Sequence, residues 1–279
     1  MQSIQSALSA ATLQLAASSA TAKLDAEVLL CHTLSKNRSY LRAWFDTVID
    51  EKQAVEFWRL INARYHGTPI AYLTGRREFW SRDFYVTPDV LIPRPETELL
   101  IELCLDLLPK STTASILDLG TGSGIIAITL AAERPHAQIS ACDNSLAALD
   151  IAKQNTQSHH VNVAFYHSVW FDTIPDGTFD LIVSNPPYIA TTDRHLQQGD
   201  LRFEPKTALC AAYQGLSDIR LIAEGARQRL ASGGHLLIEH GYDQERAVQS
   251  IFNDYHYNNI TTYRDLSGQP RVTYGLWHD

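Results

Sequence analysis

The chain has 279 residues, 45% of them hydrophobic, enough to bury a sizeable core in one large domain or two. Lys and Arg total 23 against 31 Asp and Glu, for a net charge of -8. That balance excludes a function built on bulk attraction to nucleic-acid phosphates, though not a local basic patch.

Cys31, Cys104, Cys142 and Cys210 are scattered with no C-x-x-C pair, the usage of a protein that keeps its thiols reduced. His159-His160 and the His235/His240 pair match no metal-ligand spacing, so no metal is expected. No stretch approaches the ~18 apolar residues of a membrane span. The Ala/Ser/Leu-rich start could pass for a signal peptide, but its first basic residue is Lys23. A signal peptide carries its positive charge before the apolar part. The expectation is a mature cytoplasmic protein with no membrane contact.

Residues 1–75 read as helical. Leu24, Val28, Leu29 and Cys31 are expected on one helical face with Asp25 and Glu27 off it. A second helix is expected from Glu51 to Tyr65, ended by Gly67-Thr68-Pro69. Residues 76–92 change character. Glu78-Phe79-Trp80-Ser81-Arg82-Asp83-Phe84-Tyr85-Val86 is aromatic and β-prone around a polar turn, which predicts a hairpin linking two domains. In Pro93-Arg94-Pro95-Glu96-Thr97-Glu98, Pro95 suits the first position of a helix and the two glutamates suit its positive end. Arg94 and Glu96 either roof a pocket or simply start that helix, which runs to about Leu108.

From Ser115 strands and helices alternate, the pattern of a doubly wound α/β domain over residues 93–279. Strands are expected at 115–119, 138–143, 161–166, 179–184 and 234–240. Two more, at 258–264 and 271–277, are joined by a loop short enough for an antiparallel hairpin but not a crossover.

Two clusters carry chemistry. Ile116-Leu117-Asp118-Leu119 leads into Gly120-Thr121-Gly122-Ser123-Gly124, a strand, a glycine turn and a helix opening at about Ser123. Glycines let backbone approach a ligand closely, and a helix N-terminus offers free N–H groups. The spacing is G-x-G-x-G; the third glycine of a dinucleotide fingerprint would fall at Ile125. Asp143 ends the next strand, where an acid accepts two ribose hydroxyls. The pair favours an adenosine-containing ligand over a purely structural turn. Trp170 after the third strand either walls an adenine or is an ordinary core tryptophan.

The second cluster is Asn185-Pro186-Pro187-Tyr188, closing the apolar run Phe179–Ser184. The amide sits at a strand's C-terminal end, where open α/β sheets bind ligands. Two prolines fix φ and remove two backbone donors, and an aromatic ring follows. Such a cluster suits gripping a planar –NH2 group, an amide or a base amine; a structural proline turn is the other reading.

Glycine turn, acidic strand end and Asn-Pro-Pro-Tyr, in that order, resemble the class I S-adenosyl-L-methionine-dependent methyltransferases that act on planar nitrogens. With the helical N-terminal part, Leu91–Glu98, Phe203-Glu204-Pro205, Gly215-Leu216 and Asp265–Gly268, the chain resembles the peptide chain release factor glutamine methyltransferases over nearly its whole length.

That resemblance implies a Rossmann-like, seven-stranded, mostly parallel sheet with an antiparallel C-terminal strand, plus a small helical N-terminal domain that docks the substrate. It implies S-adenosyl-L-methionine as methyl donor, S-adenosyl-L-homocysteine as product, and as acceptor the glutamine amide of a Gly-Gly-Gln motif in peptide chain release factors. Gly120, Thr121, Gly122, Ser123, Gly124, Asp143, Trp170 and Asn185 would hold the cofactor. The Asn185 side-chain oxygen and the Pro186 carbonyl would accept the two amide N–H bonds. Pro187 would keep the turn rigid and Tyr188 would pack on the flat amide. Nucleic-acid adenine methylation, needing the same grip plus base flipping, and a non-catalytic cofactor sensor are the alternatives. The acidic charge argues against the first and the intact clamp against the second.

Overall fold

The computed structural model describes residues 2–111 and 113–278. The chain forms two compact units, Met1–Arg76 with His195–Phe203, and Arg77–Arg194 with Glu204–Asp279.

The first unit is built from α1 (Ile4–Leu15), α2 (Ala22–Leu34), α3 (Arg38–Ala43), α4 (Glu51–Tyr65) and α5 (Ile70–Thr74). Side chains of Ser3, Asn37 and Asp50 accept the backbone N–H groups of Ser6, Tyr40 and Gln53, satisfying donors that a first helical turn leaves free. Ile4, Leu15, Leu29, Leu30, Phe57, Leu60 and Ile61 close the core; full burial of each contributes ~1.5–3 kcal/mol.

Helix α2 faces differently from the sequence reading. Leu24 is exposed, while Asp25 is buried beside Ala26, Leu29 and Leu30. A buried carboxylate survives only with partners. Asp25 receives Arg64 Nε from α4 at 2.7 Å and the hydroxyls of Ser19 and Thr21 at 2.8 and 2.9 Å. Periodicity alone does not reveal a partner on another helix. Arg64 also lies 3.5 Å from Asp200, and Arg202 donates to the His66 carbonyl at 3.3 Å. These contacts draw the distant segment His195–Phe203 into the first unit.

A hairpin follows, β1 (Arg76–Phe79) and β2 (Arg82–Tyr85), which from Arg77 onward belongs to the second unit. Trp80 and Ser81 at its tip both have left-handed backbones, as a tight two-residue turn requires. A 3-10 turn, Pro95–Thr97, leads into α6 (Glu98–Leu107). There follow β3 (Ser115–Leu119), α7 (Ile125–Glu133), β4 (Gln138–Asp143), α8 (Leu146–His159), β5 (Ala164–His167) and β6 (Phe179–Ser184). Next come the short β7 (Ile189–Ala190), α9 (Lys206–Leu209), β8 (Cys210–Ala211) and α10 (Ala212–Gly215), then α11 (Ser217–Ala226), β9 (Leu230–Glu239), α12 (Glu245–Asp254), β10 (Asn258–Arg264) and β11 (Pro270–Leu276).

The seven-stranded sheet has the order β10-β11-β9-β6-β3-β4-β5. Strands β9, β6, β3, β4 and β5 pair in parallel, and β11 inserts antiparallel between β9 and β10. This is the expected mostly parallel sheet with an antiparallel C-terminal strand. Side chains alternate across a strand. Ile116, Leu181, Val183 and Leu237 therefore pack in one core with α6 and α7, while Leu117, Leu119, Ile182, Leu236 and Ile238 pack in the other with α11 and α12. Both faces are covered, hence the nearly continuous apolar runs of β3 and β6.

Three boundaries move. Strand β5 begins at Ala164, because Val161 and Val163 pack against the core without joining the ladder. Strand β9 begins at Leu230, ahead of the expected 234, with the Gly233-Gly234 pair at an irregularity inside it. Helix α7 opens at Ile125, after Gly124 in a left-handed conformation. Among the described residues no helix is long and apolar enough to cross a membrane.

Candidate active site

Parallel strands β3, β4 and β6 deliver their C-terminal ends to one side of the second unit, and a cavity of about 250 Å³ lies there. Gly120, Gly122, Asp143, Trp170, Asn185 and Pro187 line it, with Asp89, Ser145, Thr207 and Asp218 among the others.

The glycine turn is pinned from below. Amides of Gly120 and Thr121 both donate to the Cys142 carbonyl at 2.9 Å. The Gly122 amide donates to Asp143 Oδ2 at 2.8 Å, and the Ser145 amide to Oδ1 at 2.9 Å. Asp143 thus links the turn to the start of α8 while still facing the cavity. Burial pushes its carboxyl up, and the backbone N–H bonds pull against that rise.

Thr121, Ser123 and Gly124 are not among the residues lining the cavity. The Thr121 hydroxyl donates to Asp118 Oδ2 at 2.6 Å, and the Ser123 carbonyl accepts Asn155 Nδ2 at 2.8 Å. Gly124, at φ +85°, sits against Ile128 and Ala152, where a Cβ would collide. Asn155 is a residue that sequence reading missed. It also exchanges hydrogen bonds with the Tyr85 backbone, at 2.7 and 3.0 Å, fastening the hairpin to the turn. Nothing local marks an asparagine in mid-helix for that role.

Trp170 does line the cavity, and its ring lies over Gly120. Its backbone is left-handed at φ 47°, uncommon for a bulky residue. The Cys142 thiol donates to its carbonyl at 3.3 Å.

The Asn-Pro-Pro-Tyr cluster leaves β6 beside this cavity. Ser184 anchors the strand end, its hydroxyl donating to the Leu119 carbonyl at 2.7 Å. Asn185 Nδ2 donates to Thr97 Oγ1 at 3.1 Å, which leaves Oδ1 as the side chain's open acceptor. Pro186 is buried, and among the described residues none donates to its carbonyl. The Tyr188 hydroxyl points at Glu239 Oε1, 3.4 Å away, and its carbonyl accepts Gln244 Nε2 at 3.0 Å. Burial raises the Tyr188 phenol and pushes the Glu239 carboxyl up to about 7. The phenol therefore stays protonated, while the neighbouring Thr97, Arg271 and Tyr188 pull against the rise at Glu239.

Arg94 and Glu204 meet across the chain. Glu204 is buried; one oxygen accepts the Ile92 amide at 3.0 Å and the other pairs with Arg94. The Pro-Arg-Pro-Glu-Thr-Glu segment is thereby fixed from both ends, by this pair and by Thr97 on Asn185.

A mostly parallel seven-stranded sheet, a glycine turn tied to an acidic strand end, and an Asn-Pro-Pro-Tyr segment after the neighbouring strand define a class I methyltransferase. The solved 16S rRNA N2 G1207 methyltransferase of T. thermophilus, in complex with AdoMet and guanosine, shares the fold, with a TM-score of 0.56 at 17% identity over 73% of this chain and 50% of that one. Residues 97–200 match the Methyltransferase small domain family, and residues 6–75 match the PrmC N-terminal domain family. The chain is 48% identical over 277 residues to a release factor glutamine methyltransferase of Vibrio cholerae, covering 98% of this chain and 96% of the relative. It is 46% identical over 275 residues to that of Shewanella oneidensis, covering 98% and 96%. The chain belongs to the release factor glutamine methyltransferase family.

Proposed function

We propose that the chain transfers a methyl group from S-adenosyl-L-methionine to the side-chain amide nitrogen of the glutamine in the Gly-Gly-Gln motif of translation release factors. The observation that carries this reading is the state of the clamp. Asn185 gives one N–H to Thr97, which leaves Oδ1 as an acceptor on the cavity wall; the Pro186 carbonyl, to which no described residue donates, belongs to the buried residue between the cavity-lining Asn185 and Pro187. A primary amide offers two N–H donors, and this pair suits them.

The cavity's chemistry fits the cofactor. The Asp143 carboxylate has acceptor capacity left for ribose hydroxyls, Gly122 leaves open space above the turn, and the Trp170 ring supplies a flat wall for adenine. When bound, S-adenosyl-L-methionine supplies a methyl group already activated by its sulfonium.

What the protein must add is aim. An amide nitrogen is a weak nucleophile because its lone pair is delocalised into the carbonyl. Asn185 Oδ1 and the Pro186 carbonyl hold the two N–H groups and favour the positive charge that develops on nitrogen. Pro187 keeps the turn rigid, and Tyr188, steadied at its hydroxyl and its carbonyl, packs on the amide plane. The methylated nitrogen then releases a proton to water, so no general base is assigned.

Residues 1–75 are assigned to docking the release factor. Trp44, Phe45 and Val48 stand exposed on that unit. Remote contacts of this kind supply binding energy that a short peptide lacks.

An adenine amine would satisfy the same two acceptors. The net charge of -8 and the family membership favour the amide. Incubation with labelled S-adenosyl-L-methionine, a release factor and duplex DNA, followed by mass spectrometry, separates them. Label on the Gly-Gly-Gln glutamine is expected; label on adenine, or none, would refute the assignment.

A further inference from the structure

The Asn185 amide serves the clamp only one way round. With Nδ2 on Thr97 it offers Oδ1 to an incoming N–H. Rotated by half a turn, it would aim its own NH2 at the substrate's NH2, donor against donor. Something must prefer the first orientation. Thr97 Oγ1 has one proton and two acceptor positions. It accepts cleanly from Asn185 only if its proton is directed elsewhere.

Thr97 is fully buried, so water does not take that proton. The group that suits it is Glu239. Strand β9 pairs with β6 in parallel, Ser184 opposite Ile238, so Glu239 and Asn185 are successive residues at the same sheet edge. Glu239 is 1% exposed, and its Oε1 accepts the Tyr188 hydroxyl. Its Oε2 is buried with no hydrogen-bond partner. An orphaned buried carboxylate oxygen is costly and calls for a donor. The Thr97 hydroxyl is among the groups that stabilise the ionised carboxyl, together with Arg271 and Tyr188.

We propose that Glu239 is a positioning residue for methyl transfer. By drawing the Thr97 proton to Oε2 it fixes the Asn185 amide with Oδ1 toward the substrate, and through Oε1 it holds the Tyr188 ring. One buried carboxylate thereby sets both sides of the clamp without touching substrate or cofactor. This rests on the amide-clamp reading given above.

The test compares Glu239→Gln, Thr97→Val, Thr97→Ser and the Glu239→Gln/Thr97→Val double variant. The readouts are kcat and KM for a full-length release factor, cofactor affinity by calorimetry, and the thermal midpoint. Glu239→Gln and Thr97→Val should each lower kcat by on the order of 10–100-fold, the scale of a misaligned reactant. Cofactor affinity should stay within about twofold. Thr97→Ser, which keeps the hydroxyl, should retain near-normal kcat. The double variant should be no slower than the slower single, because one chain of contacts is broken once.

Near-normal kcat in Thr97→Val, losses that multiply in the double variant, or a Thr97→Ser enzyme as slow as Thr97→Val would each overturn the proposal. The Thr97 pair decides the matter even if Glu239→Gln fails to fold. A wild-type chain that leaves release factor unmethylated would overturn the substrate reading and this inference together. Active wild type with equally active variants would overturn this inference alone.

Discussion

The Gly122 amide donates to Asp143 Oδ2 at 2.8 Å, joining the glycine turn to the acidic end of the next strand. Asp143 therefore has two tasks, shaping the turn and offering acceptors to the cavity. Asp143→Ala should weaken S-adenosyl-L-methionine binding by roughly 10–100-fold, the scale of lost hydrogen bonds to a charged group. Calorimetry of the purified variant reads this directly, and unchanged affinity would place the ribose elsewhere.

Arg94 and Glu204 form an ion pair whose acidic member is completely buried while the guanidinium side chain is 27% exposed. Removing either partner should destabilise the fold by about 3 kcal/mol, because it strands a polar or charged group in the interior. The double Arg94→Ala/Glu204→Ala variant should lose less than the sum of the singles, a coupling that denaturant titration measures. Strict additivity would show that the pair does not act as a unit.

Gly215 stands against the back of the clamp. Its backbone is left-handed at φ +85°, and a Cβ there would overlap the Tyr188 carbonyl and crowd Gln244 Nε2. Gly215→Ala should cost on the order of 1–3 kcal/mol in stability. It should lower kcat as well, since the displaced carbonyl belongs to the residue proposed to pack on the substrate. A variant with lowered stability and unchanged kcat would separate Gly215 from the clamp.

The sequence was most legible where periodicity and chemistry coincide. Strands β3, β4 and β6 end in Leu119, Asp143 and Ser184, as their apolar runs and the following polar residues indicate. The glycine turn and Asn185 stood out because glycines let backbone approach a ligand closely and a polar amide at a strand's C-terminal end sits where open α/β sheets bind ligands. What stayed hidden depends on partners far along the chain. Asp25 read as a surface acid because Arg64 lies on a different helix. Asn155, Thr97 and Glu239 act through residues tens of positions away, and nothing in their neighbourhoods distinguishes them from ordinary helix and strand residues. The glycine turn itself divides unexpectedly: Gly120 and Gly122 face the cavity, while Thr121 and Ser123 turn inward to Asp118 and Asn155.

Two buried acids make stability depend on pH. Burial pushes Asp118 and Glu239 each up to about 7, well above ordinary carboxylates. A carboxyl whose folded pKa is raised binds its proton more tightly when folded. Its contribution is full below the unfolded value and is lost as pH rises through about 7. Stability should therefore fall between about pH 4.5 and 7.5 by an amount attributable to these groups. Asp118→Asn should flatten part of that slope in chemical denaturation, and an unaltered slope would mean Asp118 does not titrate in this range.

On the proposed reading Asn185 aims the acceptor amide and does not chiefly hold the cofactor. Single-turnover methyl transfer to a release factor by Asn185→Ala, paired with calorimetry of S-adenosyl-L-methionine binding, tests it most directly. Cofactor affinity should stay close to wild type while the transfer rate falls by roughly 10²–10³-fold or more. Near-normal transfer, or a rate loss matched by an equal loss of cofactor affinity, would contradict it.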